Sequence, residues 1–383
     1  MRTFLALITY LIAFYCQAEV SRWQKWELER NDLYLNPEIY HKLPKQSDLR
    51  SYQTETLFLL KVDPESIGLI FSDSAADPNV AAALKKLTTS DRKLKFFIHP
   101  KALNLFSELI KKGTLEEIQA IPTTSPRTFF VEDMIVKVSL PQKINGAIRT
   151  VYPLQMTRAT SISQMLAKIP NFHFLAEPIG IYDKTPNSPF GFLVREIPNE
   201  IKFGKNTLVP ILSFVANHPE GSLLEINAKQ IGLTPNDLVK EKIIPALHES
   251  FFAAARHGIA IEAHQQNTLL ELDERGNFTG NIYYRDLDGC RVDFDLRKKL
   301  GFDDTNILSK QDAAWAFDLD NVNNLNRSAK VPSSRPDAWS GLIEESYQTY
   351  LLGSSIHILD TKLKSLSKIL PGLARSCSQV FMN

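Results

Sequence analysis

The 383-residue chain has little of anything that would place it in a specialised class. Cysteine is scarce: Cys16, Cys290 and Cys377 have neither the spacing of a metal site nor the number that a disulfide framework needs. A reducing compartment is the simpler expectation. Net charge is almost absent too, +1 from 44 basic and 43 acidic residues, which excludes the broad basic field of a nucleic-acid or membrane-surface binder. Lysine pairs such as Lys85-Lys86 and Lys111-Lys112 read as solvated helix faces. Repeats, linkers and low-complexity stretches are missing. The apolar run from Phe4 to Tyr15 is too short for a stable membrane span. With Met1-Arg2 before it and Cys16-Gln17-Ala18 after it, the segment 1–18 reads either as a secretory signal or as a buried apolar helix. The expected location is cytoplasmic, with export as the alternative if residues 1–18 are removed. What remains, 44% hydrophobic and 23% charged, is ordinary globular composition, long enough for two or three domains with their own cores.

Strand and helix patterns are mixed along the chain. Residues 20–55, with Trp23, Trp26 and Tyr34 but no clean period, read as irregular helix and loop. Thr56–Val62, Gly68–Phe71 and Lys93–Ile98 read as short buried strands. Leu103, Phe106, Leu109 and Ile110 recur at helical spacing, with Gly113 as the stop. Thr128–Val131 with Met134–Leu140, and Phe172–Tyr182 with Phe190–Ile197, read as hairpins. Between them Ile162, Met165, Leu166 and Ile169 mark a helix stopped by Pro170. From Gly221 the chain turns helical: Thr234-Pro235 resembles a capped start, Pro245 a kink, and Leu247, Phe251, Ala254 and Ala255 a buried stripe ending at a Gly258 cap. Thr268–Leu272 and Gly280–Arg285 form a last hairpin, and two amphipathic helices, Trp339 to Leu351 and Ile356 to Ile369, close the chain. The expectation is an α+β protein, with a small N-terminal α/β region over 19–120, a β-rich lobe over 121–220 and a mainly helical lobe over 221–383.

Polar residues concentrate in one stretch. Gly258 to Leu270 sets Glu262, His264, Gln266 and Asn267 between an apolar helix and an apolar strand, and the hairpin after it returns Asp286 towards Asn267. A plain turn would need only Gly, Asn or Ser. Lys137 lies in an apolar strand, where burial is costly unless an anion meets it. On that strand alone, a lysine stem reaching water at a sheet edge is the simpler reading. Yet a strand lysine, a His-x-x-Asn loop and an aspartate after a hairpin are the set with which kinase-like folds hold phosphate and Mg²⁺. Here the three are Lys137, Asn267 and Asp286, and a carboxamide with a carboxylate suits a hard cation. The position five residues before the Asn, an Asp base in aminoglycoside-phosphotransferase-like enzymes, is Glu262; its extra methylene leaves phosphotransfer as the alternative.

A fuller match covers residues 98–290. Glu262-Ala-His264-Gln-Gln266-Asn267 with Arg285-Asp286 resembles the Glu-x-His-x-Gln-Asn and Arg-Asp signatures of the NRPS-independent siderophore synthetases, the IucA/IucC family. Ser125-Pro-Arg127-Thr128 is similar to its Ser-x-Arg-Thr motif, Lys137-Val-Ser139-Leu to its Lys-x-Ser-Leu strand, and Gly146-Ala-Ile-Arg149 to the segment with its substrate arginine. His99-Pro100 resembles a family His-Pro, and Phe190 to Glu196 a hydrophobic strand ending in Arg-Glu. The resemblance implies a multi-lobed siderophore-synthetase-like fold with a β-rich middle lobe, a helical palm and a kinase-like nucleotide site between them. The implied reaction is ATP- and Mg²⁺-dependent adenylation of a carboxylate, often of citrate, followed by attack of an amine or hydroxyl on the acyl-adenylate.

In this reading Ser125, Arg127, Thr128, Lys137, Gln266 and Asn267 bind ATP, and Asn267 and Asp286 hold the metal. Arg149 and His264 clamp the substrate carboxylate, Glu262 joins them in the catalytic group, and His99 is a further candidate. The plainer readings stand beside these. His99 also reads as a capped loop histidine, Arg127 and Arg149 as structural ion-pair partners, and His264 as a satisfied buried histidine. Asp288, Asp293, Asp295, Asp318 and Asp320 read as solvated or capping carboxylates, and Cys290 as a small buried hydrophobe. The implied partners are a small carboxylate and an amine, without nucleic acid; a homodimer stays open. The family's upstream His-Pro-x-His-Pro-x-x-Lys motif has no counterpart in the 98 residues before His99. That keeps a third reading, a shortened paralogue that retains the fold and ATP binding without turnover.

Overall fold

The computed structural model describes residues 22–27, 54–71, 78–144, 147–186, 189–302, 304, 343 and 346–359. The apolar segment 1–18, Asp318, Asp320, Trp339, and the positions after Leu359 that the sequence reads as helical lie outside the described residues. In the first half the elements are β1 (Glu55–Val62), β2 (Ile67–Phe71), α1 (Pro78–Leu87), β3 (Leu94–Ile98), β4 (Gly113–Pro122), β5 (Thr128–Val131) and β6 (Met134–Val138). Then come β7 (Leu140–Ile144), β8 (Ala147–Arg149), α2 (Pro153–Leu166), β9 (His173–Phe174), β10 (Ile179–Asp183) and β11 (Gly191–Glu196). The second half holds β12 (Thr207–Pro210), α3 (Leu223–Gln230), α4 (Ile244–Arg256), β13 (Ile259–Ala260), β14 (Thr268–Leu272), β15 (Phe278–Tyr284) and β16 (Arg291–Val292).

Eight strands in the order β2-β10-β11-β6-β5-β4-β1-β3 form one antiparallel sheet that draws on both 19–120 and 121–220. It curls: Phe192 of β11 meets Phe96 and Phe97 of β3 edge-on, centroids 5.3 Å apart in both cases, although four strands separate β3 from β11. Burying such a ring contributes roughly 1.5–3 kcal/mol, so the aromatic seam draws the sheet around its own core. Lys137 lies in the middle of this sheet, its β6 paired with β11 on one side and β5 on the other. The edge-lysine reading is therefore corrected, because no route to water runs along a central strand and Lys137 is 2% exposed.

Residues 100–110 also differ from expectation. They form a 3₁₀ turn, Pro100–Phe106, and a short helical turn, Ser107–Ile110, while Gly113 opens β4 rather than stopping a helix. Gly113 pairs with Val62, and a Cβ there would come within 2.5 Å of the Lys61 carbonyl oxygen. The close approach of the strands, not a helix end, demands the glycine.

The second sheet has the order β12-β14-β15-β9, with β9 parallel to β15. Leu247, Phe251, Ala254 and Ala255 of α4 join its core, and Gly258 ends α4 at φ 73°. A π-turn, Val239–Ile243, precedes Pro245, where the sequence indicated a kink. A second π-helical segment, Tyr347–Ile356, buries Tyr347, Leu351 and Ile356 in the same core. The segment 22–27 is helical, and its Trp23 is buried with Phe130 and Ile135 from one sheet and Leu269 and Tyr283 from the other. Antiparallel sheets with helices gathered mainly in the second half make the α+β architecture read from the sequence. Among the described residues no helix is long and apolar enough to cross a membrane.

Candidate active site

A cavity of about 320 Å³ opens between the curled sheet and the helical half. One wall is the turn Thr124–Arg127 between β4 and β5, joined by Ile144 and Arg149 from the β7–β8 hairpin. The opposite wall is Glu262, His264, Gln265 and Gln266 with Asp286, roofed by Thr349, Tyr350 and Ser354 of the π-helical segment. The volume lies at the small end of the range for small-molecule sites.

The polar loop is stapled in place. β13 pairs with β16 up to Ala260, after which the Asn267 and Thr268 N–H groups donate to the His264 carbonyl at 2.8 and 3.0 Å. The Gln265 N–H donates to Ser354 Oγ at 3.1 Å, and Ser355 Oγ donates to the Ala263 carbonyl at 2.7 Å. At 3.3 Å the Gln266 N–H donates to His264 Nδ1, which assigns the ring proton to Nε2. Burial lowers the His264 pKa to about 4, so the ring is a neutral donor at physiological pH.

Behind the cavity lies a dense charge cluster. Lys137 Nζ donates to Asp286 and, at 2.8 Å, to Asp288 Oδ1. Arg195 donates through Nε and Nη2 to Glu177 Oε1 at 3.0 and 2.5 Å, and through Nη2 to Asp286 Oδ1 at 3.1 Å. The other Glu177 oxygen accepts from the Leu287 N–H at 3.1 Å. Burial works against the charge on both Lys137 and Asp286. The facing carboxylates nevertheless hold Lys137 above its ordinary value, and Lys137, Arg195 and Arg127 hold Asp286 far below the usual carboxylate range. Asp286 itself has left-handed backbone, φ 71° and ψ 61°, which is costly for a residue with a Cβ. Asp288, read as solvated or capping, is instead a half-buried partner of Lys137, because the turn after Asp286 folds back under β6.

Glu262 behaves in the opposite way. Burial, then the nearby Asp286 and Asp288 charges, push its carboxyl up to about 7. Its Oε2 lies over Gly289, where a Cβ would approach to 2.3 Å. Arg127 uses Nη1 on the carbonyls of Arg149 and Thr150 at 2.8 and 3.3 Å, fixing the cationic wall.

Of the residues singled out in the sequence, Ser125, Arg127, Arg149, Glu262, His264, Gln266 and Asp286 line the cavity, and Lys137 reaches it through Asp286. Thr128 lies beneath, its Oγ1 donating to Ser125 Oγ at 3.2 Å. Gln266 Nε2 donates to the Thr124 carbonyl at 2.9 Å, so its amide ties the two walls together. Asn267 is buried off the lining, and its Nδ2 has no hydrogen-bond partner among the described residues. His99 is not brought to the cavity. Its Nδ1 accepts from the Lys101 N–H at 3.1 Å and caps the Pro100–Phe106 turn, and burial lowers its pKa to about 4. Sequence reasoning missed Thr124, Glu177, Glu27 and Tyr350, single polar residues with no local pattern. Arg195 was legible only as part of the strand ending in Arg-Glu.

No group of three His, Cys, Asp or Glu side chains among the described residues could hold a resident metal ion. A one-third exposed Asp286 carboxylate beside cationic side chains does fit a Mg²⁺ that arrives with phosphate oxygens and keeps its water.

Known proteins bear on this geometry. The IucA / IucC family model matches residues 77–216, and the model described as ferric iron reductase FhuF-like transporter matches residues 245–325. Staphyloferrin A synthase of Staphylococcus aureus is 30% identical over 189 residues, 45% of this chain and 32% of that protein. L-2,3-diaminopropanoate–citrate ligase of the same organism is 27% identical over 216 residues, 50% of this chain and 36% of that protein. The chain thus matches about a third of the length of these curated relatives. In fold it is similar to ATP-bound aerobactin synthetase IucA of Klebsiella pneumoniae, with TM-score 0.54 and 16% identity over 92% of this chain and 72% of that one. It is also similar to the petrobactin biosynthesis protein AsbB of Bacillus anthracis, with TM-score 0.57 and 16% identity over 94% and 69%.

Proposed function

We propose that this chain, a relative of the IucA / IucC siderophore synthetases, catalyses ATP-dependent condensation of a polycarboxylate with an amine in siderophore biosynthesis. The observation that carries the reading is the cavity itself: Arg149 and the neutral donor His264 share it with Ser125, Arg127 and Asp286. A tricarboxylate such as citrate suits the first pair, because a guanidinium forks onto one carboxylate while an imidazole N–H donates beside it. A nucleotide triphosphate suits the second group, with Lys137 released from Asp286 to meet phosphate. The citrate and the diamino acid in the name of L-2,3-diaminopropanoate–citrate ligase agree with these chemistries.

Two transfers follow. A substrate carboxylate oxygen attacks the α-phosphorus of ATP, forming the acyl-adenylate and expelling pyrophosphate, whose charge Arg127 and Lys137 neutralise. The amine nitrogen then attacks the acyl carbon, AMP leaves, and Glu262 takes the proton the nitrogen loses. Asp286 would hold Mg²⁺, with Asn267 as the second candidate ligand, and the ion would supply charge neutralisation at the phosphates. The nucleotide lies between the lobes 121–220 and 221–383, and the cytoplasm, where ATP is supplied, is the place of action.

Products test the proposal. Purified protein with Mg-ATP, citrate or related acids, and a panel of diamines and polyamines should release pyrophosphate in a carboxylate-dependent way. Release of ADP instead would identify a kinase-like phosphotransferase, and ATP binding without either product a non-catalytic paralogue.

A further inference from the structure

The helical segment 22–27 lies outside both matched ranges, 77–216 and 245–325, and carries none of the motifs of the resemblance. It nevertheless ends on Glu27, whose carboxylate is completely buried at the back of the cavity. One oxygen accepts from the Thr124 N–H at 3.0 Å, the Thr124 hydroxyl at 2.9 Å and Arg285 Nη2 at 2.9 Å. The other accepts from the Trp23 indole at 2.8 Å and from Arg285 Nη1 at 3.2 Å. Thr124 begins the wall that carries Ser125 and Arg127, whereas Arg285 directly precedes Asp286 and donates through Nε to the Gln266 carbonyl at 3.0 Å. The Glu27 carboxylate therefore braces both walls from behind, beside the direct bonds that Arg285 Nη2 and Gln266 Nε2 make to the Thr124 hydroxyl and carbonyl at 2.8 and 2.9 Å.

The helix that presents Glu27 is itself anchored. Arg22 donates to the carbonyls of Lys205 and Glu274 at 2.7 and 2.8 Å, and Trp23 packs edge-on against Phe130 at 5.1 Å. Burial would push the Glu27 carboxyl up, but the Arg285 guanidinium and the Thr124 donors hold it below the ordinary glutamate range. A buried carboxylate so fully surrounded by donors is a rigid spacer, because every displacement strands a charge.

We propose that Glu27 is a positioning residue of the cavity, its carboxylate setting the spacing between the Thr124–Arg127 turn and the Gln266–Asp286 wall. Segment 22–27 is then part of the site even though it touches neither ligand. The inference rests on the proposed function only for the identity of that ligand.

The test uses the full chain with Glu27→Gln, which keeps shape and removes charge, and Glu27→Asp, which keeps charge and shortens the reach. Amide hydrogen exchange should quicken at residues 124–128 and 264–267 together in Glu27→Gln, while far-UV circular dichroism stays native. The ATP dissociation constant should rise about ten-fold, with Glu27→Asp in between. Unchanged exchange at 264–267, or quickening confined to the Thr124 turn, would overturn the proposal. If Glu27→Gln does not fold, Arg285→Lys is measured in the same way, and unchanged exchange in both walls has the same force. A wild-type protein that binds no ATP would sink the functional reading, while exchange still decides the positioning role.

Discussion

Arg285 and Asp286 are adjacent in the chain and serve two unlike charge clusters. Arg285 enters a sealed one, with its side chain and that of Glu27 only 3% and 0% exposed. Asp286 enters an open one, its carboxylate 32% exposed on the cavity while its partner Lys137 is 3% exposed. Left-handed backbone at Asp286 lets consecutive side chains part in this way. A sealed pair has no access to a competing ion and acts as a fixture. An open pair can exchange a carboxylate partner for phosphate or metal, so it is where chemistry can occur.

The comparison breaks most visibly at Arg285. Arg285→Ala leaves Glu27 buried and uncompensated, and urea unfolding should show a loss of roughly 3–5 kcal/mol. In the open cluster the order of effects reverses. Asp286→Asn leaves Lys137 with Asp288 and Arg195 with Glu177, so its stability cost should be near 1 kcal/mol. Pyrophosphate release should nevertheless fall by about 10²–10³-fold. An equal loss of stability in the two variants would erase the distinction.

Glu262→Gln sharpens the comparison through pH. In the wild type, amine transfer should rise with an apparent pKa near 7 as Glu262 ionises, and the variant should lose that limb together with about 10²-fold in rate. Stability carries the same signature. The Glu262 value in the folded state, about 7, lies above its ordinary 4.5, so the folded protein holds the extra proton and loses stability as pH rises from 4.5 to 7. For His264 the folded value, about 4, lies below 6.5, so its contribution grows as pH rises from 4 to 6.5. His264, with His99 shifted the same way, opposes Glu262, so Glu262→Gln should steepen the rise of stability with pH in urea titrations across this range. The smallest effect is expected for Gly289→Ala, whose Cβ would displace Glu262 Oε2. It should shift the pH limb while costing about 1 kcal/mol.

Much of the fold was legible because its strands are short apolar runs punctuated by Pro, Gly and Asp. β1, β2, β3, the β5–β6 and β14–β15 hairpins and the α4 stripe fall where periodicity and capping residues indicate, whereas the strand read over Phe172–Tyr182 divides into β9, which joins the second sheet, and β10, which pairs with β11. β4 shows no strand pattern because Glu116 on one face, and Glu117 and Gln119 on the other, break the apolar alternation. The 3₁₀ turn at Pro100–Phe106 was read as a helix because apolar spacing alone does not distinguish the two. Within the site, the motif residues were legible from type and order; their partners were not. Asp288 looked like any exposed turn carboxylate, and Lys137 like a lysine at a sheet edge.

The sequence by itself determined which segments form strands and helices, and which stretch, Glu262 to Asn267 with Asp286, gathers polar groups that a turn does not need. Only the tertiary structure decided which charges meet. The pairs that matter join residues far apart in the chain, Glu27 with Arg285 and Lys137 with Asp286, separated by 258 and 149 positions. Local pattern records what a residue can do at short range. Burial and partner choice arise only when the curled sheet and the helical half close on each other, and those two quantities seal one cluster and leave the other open to the cavity.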